Sequence, residues 1–352
     1  MNLLRLVMLP TLAICTLLGG AAMVVGQVFP HPALYFIASS DNHNRIYAMD
    51  PARGITRKLS DIEVSFDSLL VSPDGRHIAF TAVTGNLMTA TYLMDWNGAN
   101  VRALPVSEAR DVAWSPDSAY LAYWAYGDIY IIPRDGTNPM RITNSDSEER
   151  NPVWSPDGRQ VAFVSRSWRD SRFRLYAART DELQPRCLAN FPVYTNGIGT
   201  TVFTEDGAQV ASVTDHNGRL TVFLTEAEGK VEPEECPTPT EVIDQPAFNT
   251  YSILWSPDYR HIAFTSNQGG QWGIFIVPTS CLGQVVACSE SRKRVSQASG
   301  DAGYPSWSPD GEQLAYIVGL NRRPQIWLTD LEGNARPLTR NRYSYWSPVW
   351  WR

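Results

Sequence analysis

The sequence predicts an all-β protein, a β-propeller of seven four-stranded antiparallel blades, and three observations carry that expectation. A Ser-Pro-Asp-Gly turn recurs every 40 to 52 residues. Each interval between turns holds short runs rich in β-branched and aromatic residues. The chain opens on the second strand of such a unit and closes on the first, so its two ends are expected to complete one blade.

The turn stands as Ser72-Pro73-Asp74-Gly75, Ser115-Pro116-Asp117-Ser118, Ser155-Pro156-Asp157-Gly158, Ser256-Pro257-Asp258-Tyr259 and Ser308-Pro309-Asp310-Gly311. Thr204-Glu205-Asp206-Gly207 is a degenerate copy, and Pro348-Val349-Trp350-Trp351 a truncated one. Proline sets φ at the first corner, aspartate bonds back to the backbone, and glycine takes the positive φ. Asp74, Gly75, Asp117, Asp157, Gly158, Asp258, Asp310 and Gly311 are therefore read as structural turn residues.

In each unit strand a ends just before this turn, and strand b follows it, as in Gln160-Val161-Ala162-Phe163. Strand c has the pattern of Asp128-Ile129-Tyr130-Ile131-Ile132, and strand d that of Arg141-Ile142-Thr143. Counting strand b gives seven units, with six or eight blades as the alternative count. The residue before each turn is Val71, Trp114, Trp154, Phe203, Trp255, Trp307 or Trp350. Large aromatics at a repeat position supply buried area, so they are expected to fill the gaps between blades.

Composition narrows the function classes. The formal net charge is −6, which gives no general electrostatic reason to hold nucleic acid. Arg5 precedes a charge-free run from Leu6 to Gly26. That run reads as a signal peptide cleaved after Gly26 or as a retained membrane anchor; Cys15 offers only a poor lipoprotein site. Either reading places the chain outside the cytoplasm, with residues 27–32 as a linker and 33–352 as the propeller. The membrane would be touched only through the N-terminal segment.

Four cysteines follow that segment, Cys187, Cys236, Cys281 and Cys288. In an oxidising compartment they can pair. Cys281 and Cys288 flank the expected c–d turn after Ile274-Phe275-Ile276-Val277, and a disulfide is expected there. Pairing of Cys187 with Cys236 stays open, since it requires the 231–249 insertion to fold back.

The pattern Pro-x-Trp-Ser-Pro-Asp-Gly-x-x-Ile-Ala-Phe, followed by Ile-Tyr-x-Met-Asp and Arg-x-Leu-Thr, resembles the WD40-like repeat of the TolB propeller family. The copies cover most of residues 66–339. The resemblance implies a non-catalytic propeller of the cell envelope that binds a protein, peptide or glycan. Two enzyme families have similar propellers. Prolyl oligopeptidase-like peptidases add an α/β-hydrolase domain, and the sequence holds no Gly-x-Ser-x-Gly elbow. Oligogalacturonate lyases use a metal held by histidines. His77 and His261 share a repeat position with Gln160, Gln209 and Gln313, and so read as structural. The alternative function is a polysaccharide-acting lyase or hydrolase with its site at the channel mouth. No cofactor or metal is expected, and the chain is expected to be a monomer.

In such blades the a–b and c–d turns share one end, and the b–c and d–a loops share the other. The first end carries the uniform Ser-Pro-Asp-Gly turns. The second varies in length, from Ala125-Tyr126-Gly127 to Arg166–Arg172, with 144–150 and 232–249 read as d–a loops. Variable loops on a rigid scaffold are where recognition concentrates. The expected ligand-binding residues are Trp168, Arg169, Trp272, Arg322 and Arg323, all in b–c loops.

Overall fold

The structure is a computed structural model. It describes residues 34–350 except 41–42, 65–68, 84–88, 170–171, 183, 192–194, 217–218, 230–235, 245–249, 269, 282–289, 297–299, 320–322 and 342. The first 33 residues, Cys288 and Arg322 lie outside the described residues.

Alternating apolar runs between tight turns give seven four-stranded antiparallel sheets. Blade 1 joins β1 (Leu34–Ser40), β2 (His43–Asp50) and β3 (Ile55–Lys58) to the last strand of the chain. Blade 2 holds β4 (Leu69–Val71), β5 (His77–Val83), β6 (Thr89–Asp95) and β7 (Arg102–Ser107). Blade 3 holds β8 (Arg110–Trp114), β9 (Tyr120–Ala125), β10 (Asp128–Pro133) and β11 (Met140–Arg141). Blade 4 holds β12 (Glu148–Trp154), β13 (Gln160–Arg166), β14 (Phe173–Arg179) and β15 (Arg186–Asn190). Blade 5 holds β16 (Thr195–Phe203), β17 (Gln209–His216), β18 (Arg219–Glu226) and β19 (Thr240–Asp244). Blade 6 holds β20 (Thr250–Trp255), β21 (His261–Ser266), β22 (Gly273–Pro278) and β23 (Lys293–Arg294). Blade 7 holds β24 (Ala302–Trp307), β25 (Gln313–Val318), β26 (Gln325–Asp330) and β27 (Ala335–Pro337), and β28 (Ser344–Trp350) ends the chain.

The ring closes as the repeat count requires. β28 pairs with β1, setting Trp350 opposite Leu34 and Tyr345 opposite Ala38. The last strand thereby becomes the inner strand of blade 1.

The core is divided among the blade interfaces. One cluster joins Ala122, Ile129 and Ile131 of blade 3 to Val161, Phe163 and Ala178 of blade 4. Another joins Leu34, Phe36 and Met49 of blade 1 to Ala315, Ile317 and Ile326 of blade 7, under Trp350. The repeat tryptophans sit in these seams. Trp114 donates its indole N–H to Leu70 O (3.3 Å), Trp154 to Ala113 O (3.2 Å) and Trp307 to Leu254 O (3.2 Å), each in the preceding blade. They are mortar between blades, as their repeat position implies.

The Ser-Pro-Asp turns have one geometry throughout. Ser155 donates to Asp157 (2.6 Å), and the Asp157 carboxylate accepts the Arg159 N–H (3.0 Å). The serine hydroxyl, bonded in this way, holds the Asp117 and Asp157 carboxyls below the usual aspartate range. The fourth position has positive φ even where it is not glycine, at Ser118 (61°) and Tyr259 (56°). Ser118 uses the side chain that glycine lacks: its hydroxyl accepts the Asp74 N–H of blade 2 (2.9 Å).

One expectation changes and one open pairing is decided. The 232–249 segment is not a d–a loop. Thr240–Asp244 forms β19, strand d of blade 5, so the part of that segment before Thr240 belongs to the c–d connection. Strand d there lacks the Arg-x-Leu-Thr pattern that marks it elsewhere, which hid it in the sequence. This connection folds back on β15, the outer strand of blade 4. Asn190 N–H donates to Pro237 O (2.8 Å), and Cys187 is disulfide-bonded to Cys236 with Cα atoms 5.3 Å apart. An outer strand that would otherwise present unpaired backbone groups is covered and stapled. The open pairing of the sequence is thus made. Cys281 is also disulfide-bonded, in a 3-10 turn after strand c of blade 6; Cys288, its expected partner, lies outside the described residues.

Trp350→Ala removes a large buried side chain from the closing seam and is expected to cost about 3–5 kcal/mol, read as a lower urea midpoint. Cys236→Ser should cost about 2–4 kcal/mol under non-reducing conditions. Its unfolding curve should merge with that of the parent protein in dithiothreitol.

Candidate functional site

The b–c and d–a end is built on a repeated backbone clasp. An N–H at the start of an inner strand reaches the b–c turn of the preceding blade: Glu149 N to Gly127 O (3.0 Å), Ala302 N to Trp272 O (3.0 Å) and Tyr345 N to Pro324 O (2.9 Å). A few residues further on, the inner strands of blades 3, 4, 6, 7 and 1 bulge. Asp111, Asn151, Ser252, Tyr304 and Ser347 there take φ between 46° and 55°. Such a bulge puts two residues against one and twists the strand. At one of these bulges the Asp111 carboxylate accepts the Asn151 N–H of the next blade (3.5 Å).

On this frame, blades 3 and 4 present an aromatic and arginine surface. Trp124, next to last in β9, has two guanidiniums at cation–π distance, with Arg110 5.8 Å and Arg150 5.4 Å from its ring centroid. Arg150 also donates to Glu148 Oε1 (2.8 Å from Nε), which fixes its plane. Tyr126 follows in the b–c turn and is 69% exposed; Trp168, in the b–c loop of blade 4, is 66% exposed. Among the described residues these are the two most exposed large apolar side chains, and they stand on adjacent blades at one end. Arg169 is exposed beside Trp168, and Arg166 stacks over Phe173 (5.5 Å). Stacking, cation–π contact and charge-assisted bonds to an acidic group are what such a surface can offer.

A polar cluster lies beneath it. Asp128 is buried and pairs with Arg141 (2.6 Å). Thr143 donates to Asp128 Oδ1 (3.3 Å) and accepts the Ile129 N–H (2.9 Å). Ser296 and Thr339 accept the corresponding N–H groups of Ile274 and Ile326 (both 3.0 Å), so the end of the Arg-x-Leu-Thr pattern is a clamp on strand c. Glu149 lies next to this cluster. Burial pushes its carboxyl up to about 7, against the Thr143 and Ser145 hydroxyls, which pull it down.

The opposite end is knitted together. Arg134 reaches Asp74 (3.6 Å), His77 Nδ1 (3.4 Å) and Ser118 O (3.2 Å), spanning blades 2 and 3. Burial, then Arg134, lowers the His77 pKa. A groove of about 220 Å³ lies between blades 3 and 4, lined by Asp117, Tyr120, Met140 and Trp154. Among the described residues no group of three or more His, Cys, Asp and Glu side chains has the arrangement of a metal site.

The residues expected from sequence do not form one patch. Trp168 and Arg169 sit on blade 4, Trp272 on blade 6 and Arg323 on blade 7, while Arg322 lies outside the described residues. Trp272 is half-buried; its N–H bonds Asp301 (3.2 Å) and its carbonyl serves the clasp. Its backbone therefore has a structural role. Sequence reasoning missed Arg110, Trp124, Tyr126 and Arg150, which come together only across the blade 3–4 seam. An aromatic in the two-residue turn Tyr126-Gly127 was the available signal.

Comparison with known proteins agrees with the fold. The family described as the TolB beta propeller domain matches residues 119–289. A TolB homolog of Chlorobium chlorochromatii is 27% identical over 135 residues, 38% of this chain and 31% of that protein. The chain thus spans about a third of the length of the curated relatives it matches first. A solved prolyl endopeptidase superposes with a TM-score of 0.64 at 15% identity, over 89% of this chain and 48% of the other. An oligogalacturonate lyase in complex with manganese does so with a TM-score of 0.61 at 13% identity, over 87% and 84%. At these identities the likeness is one of fold.

Arg150→Ala should leave the ring folded and cost about 0.5–1 kcal/mol. Access of an added quencher to tryptophan fluorescence should rise as Trp124 loses its cover.

Proposed function

We propose that this TolB-like propeller is an extracytoplasmic, non-catalytic binding module that engages a protein or peptide of the cell envelope through the b–c and d–a end of blades 3 and 4. One observation carries the reading. The two most exposed large apolar side chains among the described residues, Tyr126 and Trp168, stand in the b–c connections of the adjacent blades 3 and 4, where Arg110 and Arg150 both lie within 6 Å of the Trp124 ring. Isolated exposed apolar residues are ordinary, but tyrosine, tryptophan and arginine gathered on one rigid face have the composition of an interface hot spot. The export-like segment Leu6–Gly26 supports the location, as does likeness to TolB homologs. The second reading, a lyase or hydrolase acting on a polysaccharide, draws on likeness of fold to an oligogalacturonate lyase.

The test uses immobilised protein and native envelope extract, followed by direct affinity measurement once a partner is isolated. Tyr126→Ala and Trp168→Ala should each weaken binding about 10- to 100-fold, since hot-spot truncations cost on the order of 2 kcal/mol or more. Asp310→Ala, in a turn at the opposite end, should leave affinity unchanged. Equal affinity of all three variants would place the interface elsewhere.

A further inference from the structure

Glu149 breaks the pattern of its own repeat. Five inner strands share one register, with the residue five positions before the aromatic lying at the start of the strand or just ahead of it. That position is Ala109, Thr250, Ala302 and Tyr345 in the other four blades. Ala109, Ala302 and Tyr345 are buried there. Blade 4 alone of the five places a carboxyl at this point, and it is only 3% exposed. Nothing in the repeat requires an acid here, because alanine serves the same fold on either side of the ring.

The carboxyl is half satisfied. Ser145 donates to Oε1 (2.8 Å); the Thr143 hydroxyl acts on the carboxyl but donates to Asp128 (3.3 Å), and Oε2 has no hydrogen-bond partner. A protonated acid bears this better than a carboxylate, whose charge would be buried with one oxygen unbonded. The charged groups that act on Glu149 are Asp128 of β10, which opposes ionisation, and Arg141 of β11, which favours it. Arg141 is already engaged with Asp128 at 2.6 Å. On the other adjoining segments, Glu148 and Arg150 pair with each other, Asp146 is exposed on the d–a connection, and Arg166 of β13 lies opposite Glu148.

Glu149 also touches both parts of the exposed surface. Its N–H holds Gly127, next to Tyr126. Through Ser145, whose hydroxyl also accepts the Ser147 N–H (3.1 Å), it organises the d–a connection that leads to Glu148 and Arg150.

We propose that Glu149 is a proton-operated brace of the blade 3–4 surface: neutral, it holds the Tyr126 turn and the 144–150 connection in the observed arrangement, and ionised, it releases them. The regulatory role rests on the reading of that surface as the binding face. A raised carboxyl pKa has a definite consequence for stability. Between the ordinary glutamate range and about 7, the folded state keeps a proton that the unfolded chain has lost. The stabilisation is complete below that window, falls as pH rises through it, and levels off above it. The loss is local, because the apolar clusters on either side of blade 4 do not include Glu149.

Hydrogen exchange by mass spectrometry on the full chain tests this without any partner. Rates would be followed from about pH 5.5 to 8.5 and corrected for intrinsic exchange, since one pKa unit is tenfold in the opening equilibrium. Peptides covering 125–129 and 144–151 should lose protection at least about tenfold with a midpoint near 7. The Ser308–Gln313 turn should not change. Glu149→Gln should hold both segments protected at every pH. Asp128→Asn removes the opposing carboxylate and should move the midpoint to lower pH, which decides the matter if Glu149→Gln fails to fold. Protection independent of pH in the parent protein, or the same transition in Glu149→Gln, overturns the proposal, as does an unmoved midpoint in Asp128→Asn. If binding lies elsewhere, the exchange transition persists while Tyr126→Ala and Trp168→Ala keep their affinity, so the two readings fail separately.

Discussion

No blade of this protein can bury its own apolar faces. A single four-stranded sheet has two of them, and each is covered only by the blade on that side. The clusters bear this out: Ala79 and Leu93 of blade 2 pack with Leu121 and Tyr123 of blade 3, while Ala263 and Ile274 of blade 6 pack with Leu314 and Tyr316 of blade 7. Closure of the ring is therefore the condition on which the rest depends. The tryptophan bonds across seams, the turn-to-turn contact of Ser118 with Asp74 and the backbone clasps all act between neighbours. Their geometry holds only while the sheets stay in a closed circle.

The two ends of the ring are held differently, and the difference follows from turn chemistry. The Ser-Pro-Asp turns need short-range bonds among five or six residues, so they come out alike wherever the residues recur. The b–c and d–a end is tied by backbone clasps and by a Ser or Thr clamp at the end of strand d, which leave the loop side chains between them unconstrained. Residues there are free to differ, as Tyr126, Trp168 and Glu149 do.

The same distinction explains what was legible in the sequence. Turn residues such as Asp157 and Gly158, the seam tryptophans and the pairing of the last strand with the first could be read because their causes are local and repeated. Strand d of blade 5 could not, since Thr240–Asp244 lacks the Arg-x-Leu-Thr clamp and follows a long acidic, proline-rich connection. Of the expected binding residues, Trp168 and Arg169 fall on the surface described above, whereas the Trp272 backbone is committed to holding blade 7. Arg110 and Arg150 are 40 positions apart and meet over Trp124 only because two blades lie side by side. No local pattern announces a meeting of that kind.

The pairing of Trp350 with Leu34 also imposes an order on events. Among the described strands β1 is made first and β28 last, so the inner place in blade 1 stays empty while the other six blades are made. Six blades can assemble by nearest-neighbour contact as they appear. The first must wait with Leu34, Phe36 and Ala38 uncovered until Tyr345 and Trp350 arrive. That interval is when the nascent chain is most exposed to mispairing with another copy of itself. Strand β28 (Ser344–Trp350) thus acts as the seal of the ring.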